Sequence, residues 1–156
     1  METVHFKTPL GIATIVGNHD GVSSVSVSDE GVESNEVPET LQEAVKQLTD
    51  YFYHKRTNFD FKLNPQGTSF QQRVWLSLQD IPFGKTRTYL EQAKVLGDVN
   101  AIRAVAAANG KNPLLIVLPC HRVIGSDGSL TGYAGGLWRK KWLLEHESPS
   151  SQQSLF

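Results

Sequence analysis

The spacing of apolar residues changes period at Asn64-Pro65-Gln66-Gly67, a breaker cluster in the middle of the chain. A chain that reads as strands on one side and as helices on the other does not fold as one regular layer. Ahead of the cluster, Ser24-Val25-Ser26-Val27-Ser28 alternates with period two, as a half-buried strand does. Residues 4–8 and 11–16 flank a Pro9-Leu10 turn as two more strands, and Phe59-Asp60-Phe61-Lys62-Leu63 alternates as a candidate last one. Residues 29–38 are acidic and turn-rich, a loop. Thr40 with Glu43 offers a capping box to a helix whose apolar stripe is Leu41, Ala44, Val45, Leu48 and Phe52.

Beyond the cluster the period is helical. Ser69 with Gln72 is placed to cap a helix that buries Phe70, Val74, Trp75 and Leu78 and ends at Ile81-Pro82-Phe83-Gly84. Thr88 with Glu91 caps a second, stopped by Gly97, and a third spans about residues 100–109, stopped by Gly110. Two short helices joined by a glycine-containing turn make a helix-turn-helix candidate, with the third helix as its recognition helix. A last helix spans about 137–147. The expected organisation is an α/β support domain over 1–65, a mainly α domain over 66–148, and a flexible polar tail over 149–156.

Charge is divided along the same line. Residues 1–67 hold 5 Lys/Arg against 10 Asp/Glu, and residues 68–156 hold 10 against 6, although the whole chain is −1. A polyanion-facing surface on the second part fits this, as does an ordinary mixed-charge surface. Met1-Glu2-Thr3-Val4-His5 lacks the basic and apolar regions of a leader, and no stretch approaches membrane-spanning length. The expected setting is a reducing cytoplasm or nucleoid. Gly84-Lys85-Thr86 is not the end of a phosphate-binding loop, because position 79 is Gln79 rather than glycine. His5, His19, His54 and His146 lack metal-ligand spacing, and no metal is expected.

The one cysteine, Cys120, stands in Leu118-Pro119-Cys120-His121-Arg122-Val123-Ile124, after the apolar run Leu114-Leu115-Ile116-Val117-Leu118. It admits two readings, a small buried hydrophobe or a lone nucleophile. For the second, the adjacent imidazole and a nearby positive end of backbone are expected to raise the thiolate fraction. The third helix carries Ala101, Ala104, Ala106, Ala107 and Ala108 with one long polar arm, Arg103. That is either a cylinder thin enough for close approach to a partner or a buried alanine-rich helix whose arginine reaches solvent. Thr131-Gly132-Tyr133-Ala134-Gly135-Gly136 is a glycine-rich loop with one aromatic.

Taken in order, Phe70-Gln71-Gln72-Arg73-Val74-Trp75, Ile81-Pro82-Phe83-Gly84, Arg103-Ala104-Val105, Asn112-Pro113, Pro119-Cys120-His121-Arg122-Val123 and Gly132-Tyr133-Ala134-Gly135-Gly136-Leu137 resemble the O6-alkylguanine-DNA alkyltransferases of the stand-alone bacterial type, over residues 68–147. The resemblance implies a ribonuclease-H-like first domain and a winged-helix-like second one. It implies direct reversal of damage: the protein binds double-stranded DNA carrying O6-alkylguanine, flips the nucleotide through the minor groove, and moves the alkyl group onto Cys120 in a single turnover. O4-alkylthymine is left open as a second lesion. His121 would take the thiol proton through a water, Glu147 would orient His121, Tyr89 would donate to the leaving base, and Asn112 would organise the turn. Arg103 would fill the vacated stack, with Asn100, Ala101, Ala104, Thr88 and Tyr89 against the DNA. Tyr133, Ala134, Gly135, Gly136, Val123, Asn109 and Lys140 would form the pocket, and the backbone carbonyls of Cys120 and Val123 would read the guanine amino group. No cofactor is implied, and a monomer is expected. The alternative is a non-enzymatic protein that recognises alkyl lesions, although such relatives replace the cysteine, usually with tryptophan. A cysteine hydrolase is disfavoured, because hydrolase dyad partners are usually distant in sequence.

Overall fold

A computed structural model describes residues 1–148, so the tail expected at 149–156 lies outside the described residues. The chain divides into two compact units, Met1–Gln66 and Gly67 onward. No helix among the described residues is long and apolar enough to cross a membrane.

The first unit is an antiparallel meander of β1 (Glu2–Thr8), β2 (Gly11–Asn18) and β3 (Gly21–Ser28), followed by α1 (Gln42–Phe52). Val4, Ile15 and Val25 stand opposite one another across the three strands and are all buried, and the burial of Val25 fits the alternation at 24–28. Ala44, Leu48, Tyr51 and Phe52 supply the buried face of α1.

Two expectations fail here. Thr40 caps nothing: it lies in a 3-10 turn, Glu39–Leu41, and its hydroxyl donates to Glu2 Oε1 at 2.9 Å. Residues 59–63 form no strand. Their only ladder contact is a parallel bridge from Leu63 to Val22, with Val22 N–H donating to Lys62 O at 2.9 Å. Side chains explain the difference. Phe59 packs on Tyr51 and on Phe61 (ring centroids 5.6 and 6.0 Å apart), so the two phenylalanines cluster instead of lining one face of a ladder. The Asp60 amide donates to the Gln47 side chain of α1 at 3.1 Å.

The second unit contains α2 (Ser69–Leu78), β4 (Arg87–Thr88), α3 (Tyr89–Val95), α4 (Ile102–Gly110), β5 (Val123–Ile124) and α5 (Leu137–Glu147). The cap of α2 sits one residue earlier than expected. Thr68 has the extended backbone that a cap requires and exchanges bonds with Gln71, whereas Ser69 is already helical. Thr88 and Glu91 form the expected capping box on α3. The turn after α3 runs through Gly97 at φ +88° into a 3-10 turn, Val99–Ala101, capped by Asp98, so α4 proper begins at Ile102. α4 packs on both α2 and α3, and Trp75 Nε1 donates to Ala108 O at 2.8 Å. β4 and β5 pair in parallel, Arg87 opposite Val123. The unit is therefore mainly α, with a helix-turn-helix at its centre.

The run 114–118 is neither helix nor strand. It coils through tight turns, with Val117 N–H donating to Leu115 O at 2.8 Å and Leu118 N–H to Leu114 O at 2.9 Å, and all five side chains are buried. Ile116 adopts φ +74°, a strained conformation for a β-branched residue. The turn closes directly onto Pro119 and Cys120.

Candidate active site

Asn112 ties this turn together. Leu114 N–H donates to its Oδ1 at 2.9 Å, and its Nδ2 donates to Leu118 O at 2.7 Å and to Cys120 Sγ at 3.3 Å. One buried amide thus holds both ends of the coil and touches the thiol. Cys120 opens a 3-10 turn, Cys120–Arg122, which turns three successive side chains into the unit.

His121 is fully buried, and its Nε2 lies 2.8 Å from Glu147 Oε2, at the end of α5. Arg122 grips the same carboxylate with two bonds, Nε to Oε1 at 2.7 Å and Nη2 to Oε2 at 2.9 Å, while its Nη1 donates to Ile81 O at 2.6 Å. Burial alone would raise the Glu147 carboxyl, but His121 and Arg122 outweigh it and hold the group well below the usual carboxylate range. Arg122 is always charged, so its fork keeps Glu147 ionised whether or not His121 carries a second proton. Burial lowers the His121 imidazole, against the pull of Glu147, and the ring is neutral at pH 7. A neutral ring bonded to a carboxylate through Nε2 carries its hydrogen there, which leaves the lone pair on Nδ1. Nδ1 and the Tyr133 hydroxyl are the two buried side-chain atoms without a hydrogen-bond partner among the described residues. Their rings meet edge to face, 6.5 Å apart.

The thiol departs from expectation. Burial pushes Cys120 up to about 11, against the opposing effects of the Asn112 bond and the Lys140 charge. The adjacent imidazole does not raise the resting thiolate fraction, because it is neutral and committed to Glu147.

A cavity of about 560 Å³ opens over Cys120. Tyr89, Ile102, Arg103, Ala106, Asn109, Gly110, Thr131, Gly132, Tyr133 and Ala134 complete its lining. Tyr89 donates its hydroxyl to Thr131 O at 3.0 Å. Asn109 is locked in a reciprocal amide pair with Gln92 (2.7 and 3.1 Å). Gly135 gives the Tyr133 ring its room, since a Cβ there would stand 2.8 Å from that ring.

The structure therefore brings Cys120, Tyr89, Arg103, Asn109, Tyr133 and Ala134 to one cavity, with His121, Asn112 and Glu147 bonded into the region behind it. Four expected pocket residues stand outside the lining, each for a local reason. Lys140 is buried with its Nζ given to Thr131 O (2.9 Å) and Gly132 O (3.3 Å). Val123 is buried in β5, Gly135 makes space, and Gly136 starts α5. Asn100 and Ala104 are exposed on the helix-turn-helix, with Ala101 and Thr88 half-buried beside them. Thr131 and Gly132 line the cavity as part of the glycine loop expected to wall the pocket; Ile102, Ala106 and Gly110 were not anticipated as lining, nor Arg122 as a partner of Glu147. The signal for Arg122 was available: a charged residue shortly after the apolar run 114–118 and directly before an apolar Val-Ile pair needs a partner. Among the described residues no group of three or more His, Cys, Asp or Glu could hold a metal ion.

Two family models match the sequence one after the other. Residues 4–65 match the 6-O-methylguanine DNA methyltransferase ribonuclease-like domain, and residues 69–149 match the DNA binding domain of the same family. The chain belongs to the 6-O-methylguanine DNA methyltransferase family. It is 45% identical to a methylated-DNA–protein-cysteine methyltransferase of Methanosarcina acetivorans, covering 91% of this chain and 95% of that protein. The crystal structure of a Mycobacterium tuberculosis O6-methylguanine methyltransferase is similar at 40% identity and TM-score 0.84, covering 99% of both chains. That of the M. tuberculosis OGT in complex with DNA is similar at 41% identity and TM-score 0.86, covering 97% of both. This family membership accounts for both units, the small sheet with its helix and the helical unit that carries Cys120.

Proposed function

We propose that this chain, an enzyme of the methylated-DNA–protein-cysteine methyltransferase class, repairs O6-alkylguanine in double-stranded DNA by taking the alkyl group onto Cys120. The observation that carries this reading is Cys120 Sγ at the edge of a cavity of about 560 Å³, bonded by Asn112 and followed by a neutral, carboxylate-held imidazole. Sγ attacks the alkyl carbon, a carbon–sulfur bond forms, and the bond from that carbon to O6 breaks with its electrons going to guanine. The thiol proton passes through a water to His121 Nδ1, and the guanine anion takes a proton from Tyr89 once its bond to Thr131 O is released; solvent then returns a proton to Tyr89 as His121 gives up its own.

The cavity sits within the helix-turn-helix unit, with exposed Arg103 on its lining. A nucleotide must leave the stack to reach Sγ, and Arg103 is the side chain long enough to replace it. Ala104 and Ala107, exposed on α4, keep the approaching surface thin. The thioether product has no second nucleophile in the lining to remove it, so one molecule repairs one lesion. Because the reaction needs one copy of the chain and an alkyl donor in DNA, it runs as a monomer without a cofactor, in the compartment that holds the DNA. O4-alkylthymine presents the same saturated carbon on an exocyclic oxygen and belongs to the same chemistry.

The test is intact-protein mass after incubation with duplexes containing one O6-methylguanine or one O4-methylthymine. A gain of one methyl, saturating at one per molecule and absent in Cys120→Ala, is expected with the first. Tight binding without a mass gain would instead mark a lesion-recognition protein.

A further inference from the structure

The Arg122–Glu147 fork is more than a buried ion pair, because the same carboxylate is the partner of His121. Arg122 is held on both sides: two bonds to Glu147 and one to Ile81 O at 2.6 Å, with its guanidinium 5.9 Å from the Phe83 ring centroid. It therefore links the loop after α2 to the last residue of α5. Glu147 Oε2 receives both Arg122 Nη2 and His121 Nε2, at 2.9 and 2.8 Å.

We infer that Arg122 is a positioning residue for alkyl transfer: its fork locks the Glu147 carboxylate in place and so fixes which His121 nitrogen carries the hydrogen. Without the fork the carboxylate keeps its contact with His121 but loses the two Arg122 bonds that set its plane, so the hydrogen at Nε2 is held less firmly. A hydrogen on Nδ1 is on the wrong atom for a base that must take the thiol proton there. The cation has a second effect. Among the described residues, the charged and titratable groups that act on or meet His121 are Glu147 and Lys140 of α5, Arg122 on its own turn, and Tyr133 of the glycine loop, with Cys120 next to it in the chain. Glu147 favours a protonated ring, while Arg122 and Lys140 oppose one. Removing Arg122 shifts that balance toward the imidazolium, so transfer is lost at a higher pH as the solution is acidified.

The inference rests on the transfer reading above, and its test separates the two. Single-turnover methyl transfer from saturating O6-methylguanine duplex is followed against pH for the wild type, Arg122→Met and Arg122→Lys. In Arg122→Met the acid-side midpoint moves up by about one pH unit, the size of effect that one close charge exerts. In Arg122→Lys, which keeps the charge without the fork, the midpoint holds and the rate falls about tenfold. A pair that merely staples the fold moves neither the midpoint of a folded variant nor its ring tautomer. A folded Arg122→Met with the wild-type midpoint, or an Arg122→Lys equal to wild type at every pH, overturns the inference. If Arg122→Met does not fold, the lysine variant decides. The ¹⁵N shifts of the His121 ring read the tautomer without DNA, so they decide the matter even if the wild type transfers no methyl. A hydrogen on Nε2 in the wild type and a mixture in whichever variant folds supports the inference, and an unchanged tautomer sinks it.

Discussion

A thiol that ionises at about 11 is thiolate in roughly one molecule in ten thousand at pH 7, so Cys120 needs its base at the moment of reaction rather than before it. That gives a measurable signature. The rate constant for iodoacetamide labelling of Cys120 should climb about tenfold per pH unit through pH 10, because only the thiolate reacts. A plateau below pH 9 would show that burial does not govern the thiol. Asn112 is the second residue whose loss reads directly. Asn112→Ala removes a donor to Leu118 O and to Sγ and the acceptor of Leu114 N–H, all buried. Stranding those groups should cost about 2–4 kcal/mol, read by chemical denaturation. It should also slow labelling further, since the Asn112 bond lowers the thiol pKa. A variant within about 0.5 kcal/mol of wild type would show that the coil 114–118 holds itself without the amide.

Among elements, α2 offers a clean test, because Thr68 and Gln71 lie outside the cavity lining. Thr68→Ala should cost about 1 kcal/mol, as an N-cap does, with methyl transfer unchanged. An equal loss in Ser69→Ala would contradict the observed cap. That one-residue slip shows what was legible in the sequence and what was not. Capping chemistry and the 3.6-residue stripe locate α2, and a capping box locates α3, because both signals depend on neighbours within one turn of helix. The strand at 24–28 was legible for the same reason, its alternation being local, whereas the row Val4, Ile15, Val25 depends on register between strands. Residues 59–63 alternate just as well, yet Phe59 and Phe61 cluster with Tyr51, a contact that alternation does not encode. The run 114–118 suits a strand or a buried helix equally, and its tight backbone turns together with Asn112 bonding at both ends make it a coil. In the site, Cys120 and His121 stand together in sequence. Glu147 is 26 residues beyond His121, so its pairing was accessible only through the family resemblance.

At the scale of the molecule, the buried titratable groups around Cys120 set a pH window for stability. His121 has an ordinary value of 6.5 and is lowered in the folded protein. The unfolded chain therefore takes the proton first, and stability present above pH 6.5 is lost as pH falls below it. Glu147 is also lowered, from 4.5, so its contribution is present above that value and lost further into acid. On the alkaline side the sign reverses. Cys120 is raised from 9.0 to about 11, so the folded state resists ionisation and stability present below pH 9 is lost between pH 9 and 11. Two pH units at about 1.4 kcal/mol each make that loss about 3 kcal/mol. Lys140 works against it: its value is lowered by burial, so its contribution grows as pH rises toward 10.5. The Cys120→Ala protein separates the two, because it keeps Lys140 and removes the thiol. Chemical denaturation at pH 7, 9 and 11 should show the wild type losing about 3 kcal/mol more than Cys120→Ala between pH 9 and 11. Between pH 7 and 9 the two should keep a constant offset from the small cavity left by the missing sulfur. Equal alkaline losses in both proteins would move the cause from the thiol to Tyr133, the other buried acid of the site whose value stands raised.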